Sequence, residues 1–291
     1  MISIFFQYEF LQNALFTGLM IGFLGPMLGV FLVVRKLSLI ADALSHITLT
    51  GIAAGLLLTK TLPAFHFLNP LHIGILFSVI GSFFVEKLRS IYKHYEELAI
   101  PITLSAGIGL GVVFISLADG FNTDLFHYLF GSVVSVTRSD LWTIAAITII
   151  VCIVIIFFYK ELFFLSFDED HAIVAGINKK AIEFIFIVSV ALVIAASMRI
   201  VGILLVSSLM TLPVASAMRL AKGFKQMFFY AILFGEISVL GGLILAYHLD
   251  IASGGMIVMM NVFILMVSIV WKKFFTKAKT PLVMKEKVKV E

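Results

Sequence analysis

Apolar residues in this chain fall in long uninterrupted runs separated by short polar segments. A helix rises about 1.5 Å per residue, so about 20 such residues match the roughly 30 Å hydrocarbon core of a bilayer. The runs predict nine spanning helices, at roughly 11–34, 38–58, 70–86, 99–118, 141–159, 181–198, 200–218, 226–247 and 255–271. A membrane β-barrel would need segments of about ten residues alternating in polarity, and the sequence has none. The expected fold is all-α: a polytopic helical membrane protein of eight or nine spans.

The polar segments set the orientation. With the amino terminus outside, 18 of the 21 lysines and arginines fall on the inner side, leaving Lys60, Arg138 and Arg199 outside. Inner connections rich in Lys and Arg are the strongest topological signal a membrane protein carries, and here they predict N-out, C-in. An even number of spans would require one short run, 181–198 or 200–218, to be broken or re-entrant. Residues 1–271 form the expected transmembrane domain and 272–291 a basic cytoplasmic tail, an anchor at the lipid surface. Two connections are longer. An outer one, 119–140, contains Phe126, Tyr128 and Phe130 and is expected along the interface. An inner one, 160–180, contains Asp168, Glu169 and Asp170, followed by Ala172, Ala175 and Gly176.

Composition agrees with this picture. The chain is 61% hydrophobic and 13% charged, with a mean hydropathy of +1.13, too apolar for a water-soluble domain. The net charge of +4 reflects the inner lysines rather than a nucleic-acid surface. Cys152 is the only cysteine, which excludes a disulfide framework and a thiolate metal cage. The first ten residues lack a basic region and carry Glu9, so no cleavable signal is expected. Glycines repeat at four-residue spacing (Gly25 and Gly29, Gly51 and Gly55, Gly107 and Gly111), as expected where helices pack closely in lipid. Gly22, Gly25 and Pro26 also suit a bend in the first span.

Polar residues inside the runs are the candidate chemistry. Asp42 and His46 are four residues apart, hence on one helix face, about 10 and about 16 Å beyond Arg35. An ionisable group at that depth costs several kcal/mol unless it is paired or faces a cavity. Carboxylate oxygen with imidazole nitrogen suits Zn2+ or Mn2+; a structural Asp–His hydrogen bond locking two helices is the alternative. Glu236 is a second intramembrane acid, either a metal ligand or a protonated carboxyl on a backbone carbonyl. Asp250 and His248 lie at the outer end of that span, as an entrance or as a solvated helix end. His66 and His72 are outer-loop histidines, and Ser207 and Ser208 are expected to serve packing. Neither a His-Glu-x-x-His zinc-protease motif nor a phosphate-cradling Gly-x-x-x-x-Gly-Lys-Ser/Thr loop is present.

Asp42-Ala43-Leu44-Ser45-His46 followed by Thr50-Gly51-Ile52-Ala53 resembles a stretch of the permease subunits of bacterial zinc and manganese ABC importers. Further resembling segments follow in order: Leu129-Phe130-Gly131-Ser132, Ser166-Phe167-Asp168 through Ala175-Gly176, Val201-Gly202-Ile203, Leu212-Pro213-Val214, and Asp250 with Ser253-Gly254. The resemblance implies a permease, without enzymatic activity or cofactor, that moves Zn2+ or Mn2+ inward past Asp42 and His46. It implies cytoplasmic ATPase subunits docked on the 160–180 connection, through Asp168, Glu169, Asp170, Ala175 and Gly176. A second permease copy and an extracellular metal-binding lipoprotein are its other implied partners. The additional histidines and the 40–49 stretch favour zinc. Two other classes remain open: a proton-driven secondary transporter with Asp42 and Glu236 as relay acids, and an intramembrane metalloenzyme, which would need a third ligand and an activated water.

Overall fold

Because lipid offers no hydrogen-bond partners, each apolar run satisfies its own backbone by coiling into a helix. The computed structural model describes residues 8–61, 69–92, 95–118, 120 and 123–277, and contains no strand among them. In chain order the helices are α1 (Glu9–Val34), α2 (Ser38–Thr61), α3 (Pro70–Ile91), α4 (Ala99–Leu117) and α5 (Thr123–Phe130). There follow α6 (Arg138–Phe157), α7 (Tyr159–Phe167), α8 (Glu169–Val174), α9 (Lys179–Val201), α10 (Ile203–Leu220), α11 (Phe224–Leu249) and α12 (Ser253–Lys277). Among the described residues nine helices are long and apolar enough to cross a membrane: α1–α4, with α4 extended by the 3-10 turn Glu96–Leu98, α6 and α9–α12.

Caps set several boundaries. Asn69 accepts the Leu71 amide with Pro70 in the first turn of α3, Thr137 and Asp140 cap α6 reciprocally, and Asn178 accepts the Ala181 amide at the start of α9. Between α1 and α2 the chain reverses within three residues. Lys36 takes a left-handed φ of 58°, and the Leu37 amide donates to the Leu32 carbonyl at 2.8 Å.

The expected spans differ from the observed ones in a few places. The 141–159 run stops at Phe157, and the chain turns at Phe158 into the separate α7. Runs 181–198 and 200–218 form two full helices, α9 and α10, joined through Gly202 alone, so neither is broken. In the outer connection Phe126 is exposed, but Tyr128 turns into the bundle at 5% exposure. Helix α12 continues to Lys277, while residues 278–291 and His66 lie outside the described residues.

Helices α1, α2 and α9 form the interior, each with 72% of its apolar window buried, against 28% for α4, α6 and α12. The outer helices expose rows such as Leu76, Ile80 and Phe83 on α3 or Ile149, Ile153 and Ile156 on α6. In water such rows would drive aggregation; in lipid they are the solvated surface. α1 packs against α11, α10, α6 and α9, and α2 against α4, α3, α10 and α9. The continuous α1 keeps Pro26 inside it, with Gly235 of α11 seated on the Pro26 ring and the Gly22 carbonyl. That carbonyl would otherwise accept from the amide that Pro26 lacks.

Three glycines far apart in sequence meet at the outer end. Gly131 and Gly202, at φ of 78° and 80°, lie backbone to backbone, and Gly254 abuts the Val201 and Phe130 carbonyls. Ser253 donates to the Ile200 carbonyl at 2.6 Å and the Ser132 amide to the Arg199 carbonyl at 2.9 Å. This knot ties α5, the α9–α10 junction and the start of α12 together. A methyl on Gly254 would overlap two carbonyl groups, so Gly254→Ala is expected to cost at least the roughly 1–3 kcal/mol of an overpacked core. Thermal unfolding in detergent measures this, with Gly255→Ala, which meets nothing within 4 Å, unchanged as the control.

Candidate functional site

Helix α2 is clasped by its neighbours through small residues. A Cβ on Gly107 of α4 would stand 3.1 Å from the Ile47 amide, and one on Gly111 would stand 3.2 Å from the Thr50 hydroxyl. On the other flank Gly51 and Gly55 of α2 abut Phe77 and Pro70 of α3, and Gly74 and Gly81 of α3 admit Ile52 and Ile47. Such faces let backbones approach where lipid supplies little hydrophobic drive for association. The Thr50 hydroxyl reaches the Gly107 carbonyl at 2.6 Å, and Ser45 and Thr48 donate to the Ala41 and Leu44 carbonyls at 2.8 and 2.7 Å.

What the clasp leaves open is one stripe: Leu39, exposed, then Asp42, His46 and Leu49, half-buried, at positions i, i+3, i+7 and i+10. Asp42 and His46 thus share a face one turn apart, as the spacing predicts, and lie close enough to interact electrostatically. No hydrogen bond or ion pair among the described residues engages either side chain. The helix is clasped on two flanks while its carboxylate and imidazole stay unengaged among the described residues.

The other candidate ligands stand elsewhere. Glu236 is on α11, its Oε2 buried beside Gly22 of α1 and without a hydrogen-bond partner among the described residues. Asp250 is exposed at the end of α11 with φ of 52°, a left-handed turn that aspartate tolerates. His248 is exposed, its Nδ1 2.8 Å from the Ile244 carbonyl, and His72 is exposed on the first turn of α3. Among the described residues no three His, Cys, Asp or Glu side chains gather as a metal cage.

At the inner end the 160–180 connection is a pair of short helices, α7 and α8. Asp168 caps α8 by accepting from the His171 amide at 3.1 Å and lies 2.7 Å from the His171 ring. Glu169, Asp170, Ala175 and Gly176 are exposed, as are Phe167 and Val174, the latter at 86%. An exposed apolar tip flanked by acids results.

Two charge clusters were not read from the sequence. At the outer end Arg199 meets Asp140, 1% exposed, at 2.7 Å, and donates to the Ser135 carbonyl, Asn69 and Tyr128. At the inner end Arg35 pairs with Glu183, which also faces Arg89 at 3.5 Å. A lone Arg199 near the end of an apolar run and Glu183 at the head of another were the available signals, but their partners lie 59 and 148 positions away.

The ABC 3 transport family matches residues 7–272. The chain belongs to that family. It is a multi-pass metal-ion permease of the bacterial plasma membrane, as the ordered segments from Asp42 to Gly254 suggested. The family's relatives include the manganese transport system membrane protein MntC of Listeria monocytogenes, 34% identical over 90% of each chain. The high-affinity zinc uptake system membrane protein ZnuB of Haemophilus influenzae is 33% identical over 90% of this chain and 98% of its own. A solved structure, PsaBC from Streptococcus pneumoniae in complex with Fab, superposes with a TM-score of 0.81 at 30% identity, covering 96% of this chain and 98% of that one.

Proposed function

We propose that this chain is the permease subunit of an ATP-driven importer of Zn2+ or Mn2+, and that the ion passes inward along the α2 stripe of Asp42 and His46. The observation that carries this reading is that stripe: a carboxylate and an imidazole on one open face of a tightly clasped helix, neither engaged in a hydrogen bond or ion pair among the described residues. One chain offers two ligands, whereas a transition metal takes four or more. A second copy facing the first would supply the remaining two, and a half-built site per subunit keeps affinity moderate enough for release.

No phosphate-cradling loop occurs in the sequence, so the energy comes from separate cytoplasmic ATPase subunits seated on α7 and α8, with Asp168, Glu169, Asp170, Ala175 and Gly176 at the contact. An extracellular metal-binding lipoprotein delivers the ion to the outer face. Oxygen and nitrogen donors suit both metals, relatives named for each are of similar identity, and delivery decides between them. Glu236 faces α1 rather than sharing the Asp42–His46 stripe, which argues against a two-acid proton relay.

Purification of the tagged chain from its native host tests the reading. An ATPase subunit is expected to copurify, and uptake of radiolabelled Zn2+ or Mn2+ into proteoliposomes is expected to require ATP. Transport by the chain alone, driven by a pH gradient, would reject it. Competition between the two ions in the same assay identifies the preferred metal.

A further inference from the structure

The inner ends of α1, α3 and α9 meet at a charge cluster that is largely withdrawn from solvent. Glu183, one turn into α9 and 4% exposed, accepts from Arg35 at the α1–α2 corner, and its other oxygen lies 3.5 Å from Arg89 of α3. Arg89 bonds Glu96 at 2.7 Å and faces Glu86 at 3.7 Å. One turn before Glu183, on the same face of α9, Lys179 reaches Glu169 of α8 at 2.5 Å. A cavity of about 400 Å³ lies beside the cluster, lined by Arg35, Arg89, Glu96, Glu169, Lys179 and Glu183.

Stability alone does not account for such a cluster, because buried ion pairs replaced by well-packed apolar groups are often neutral or stabilising. Its geometry suggests a different role. Nη1 of both Arg35 and Arg89 has no hydrogen-bond partner among the described residues, and the adjoining cavity gives the side chains room to regroup. Arg35 also stands at the tight corner that leads into α2. It caps α1, the corner is closed by the Lys36 and Leu37 amides on the Val33 and Leu32 carbonyls, and α2 begins at Ser38, one turn before Asp42.

We propose that Glu183 is a positioning residue for transport. It receives displacement of α7 and α8 through Glu169 and Lys179 and passes it through Arg35 to α2, so that metal movement per ATP hydrolysed depends on it. This rests on the reading of α7 and α8 as the ATPase seat.

The test uses the complex of the full chain with the ATPase that copurifies with it, reconstituted in proteoliposomes, measuring ATP hydrolysis and uptake of radiolabelled Zn2+ or Mn2+ together. With Glu183→Gln, metal moved per ATP is expected to fall at least about fivefold while hydrolysis persists, the size of an ordinary coupling between sites. Lys179→Glu is expected to lower the ratio, and Lys179→Arg, which keeps the positive charge facing Glu169, to retain it. The Lys179 side chain is 25% exposed, so these two variants decide the matter even where Glu183→Gln fails to assemble. A merely structural cluster would lower the yield of complex, or both rates in proportion, and leave the ratio unmoved. That result, with Lys179→Glu leaving the ratio unchanged, overturns this inference alone. A chain without any ATPase partner overturns it together with the reading beneath it.

Discussion

Asp42→Asn and His46→Ala are each expected to cut metal uptake at least about tenfold, the lower end of what even an outer-shell partner's loss costs a metal site. Both side chains lie on the open stripe of α2 and make no hydrogen bond among the described residues, so neither substitution removes a packing contact that the clasp by α3 and α4 needs. Asp42→Asn keeps the size of the side chain and deletes its charge, and the neutral amide oxygen is a far poorer ligand for a dehydrated divalent cation. His46→Ala removes the nitrogen donor while leaving α2 with a good helix former. Uptake of radiolabelled metal by cells depleted of zinc or manganese, beside immunoblots of the membrane fraction, measures both quantities. Wild-type uptake at wild-type abundance would remove Asp42 and His46 from the path. If two chains build one site, each substitution strikes twice per transporter, and mixing wild-type with variant subunits should give an intermediate class.

Asp140→Ala is expected to destabilise the fold by about 3–5 kcal/mol, the range for removing one partner of a buried pair. Asp140 is 1% exposed, and its carboxylate meets Arg199 at 2.7 Å while accepting from the Thr137 amide at 2.9 Å. The substitution strands a guanidinium whose side chain is 15% exposed and opens the reciprocal cap of α6 in the same step. Thr137→Ala, which leaves the Asp140–Arg199 pair in place, should cost about 1 kcal/mol. Thermal unfolding in detergent reads both, and a double-mutant cycle of Asp140→Asn with Arg199→Gln should show strong coupling, because the second change removes the charge that the first left unpaired. Additive losses would mean that Arg199 is held by Ser135, Tyr128 and Asn69 without help from Asp140.

The legible and illegible parts of the sequence divide along physical lines. Spans α1 to α4, α6 and α9 to α12 could be read within a few residues because lipid imposes both a length and a uniform apolarity on each. Boundaries erred where composition changed little: Phe157, Phe158 and Tyr159 are all aromatic, and the turn that separates α6 from α7 is a matter of backbone direction. The Asp42–His46 face was legible because helical geometry fixes neighbours four residues apart without knowledge of any other helix. Tyr128 was misplaced because an aromatic belt residue and one that partners a buried arginine look alike in sequence.

By itself, the sequence determined the membrane fold and the shared helix face of carboxylate and imidazole, since each follows from solvent or local helical period. The tertiary structure alone decided that Glu236 sits beside Gly22 rather than on the stripe, and that Gly131, Gly202 and Gly254 form one knot. It also decided that Arg35 answers Glu183. Such contacts are fixed by which helix faces meet, and no local rule relates positions 35 and 183: only packing brings them within reach.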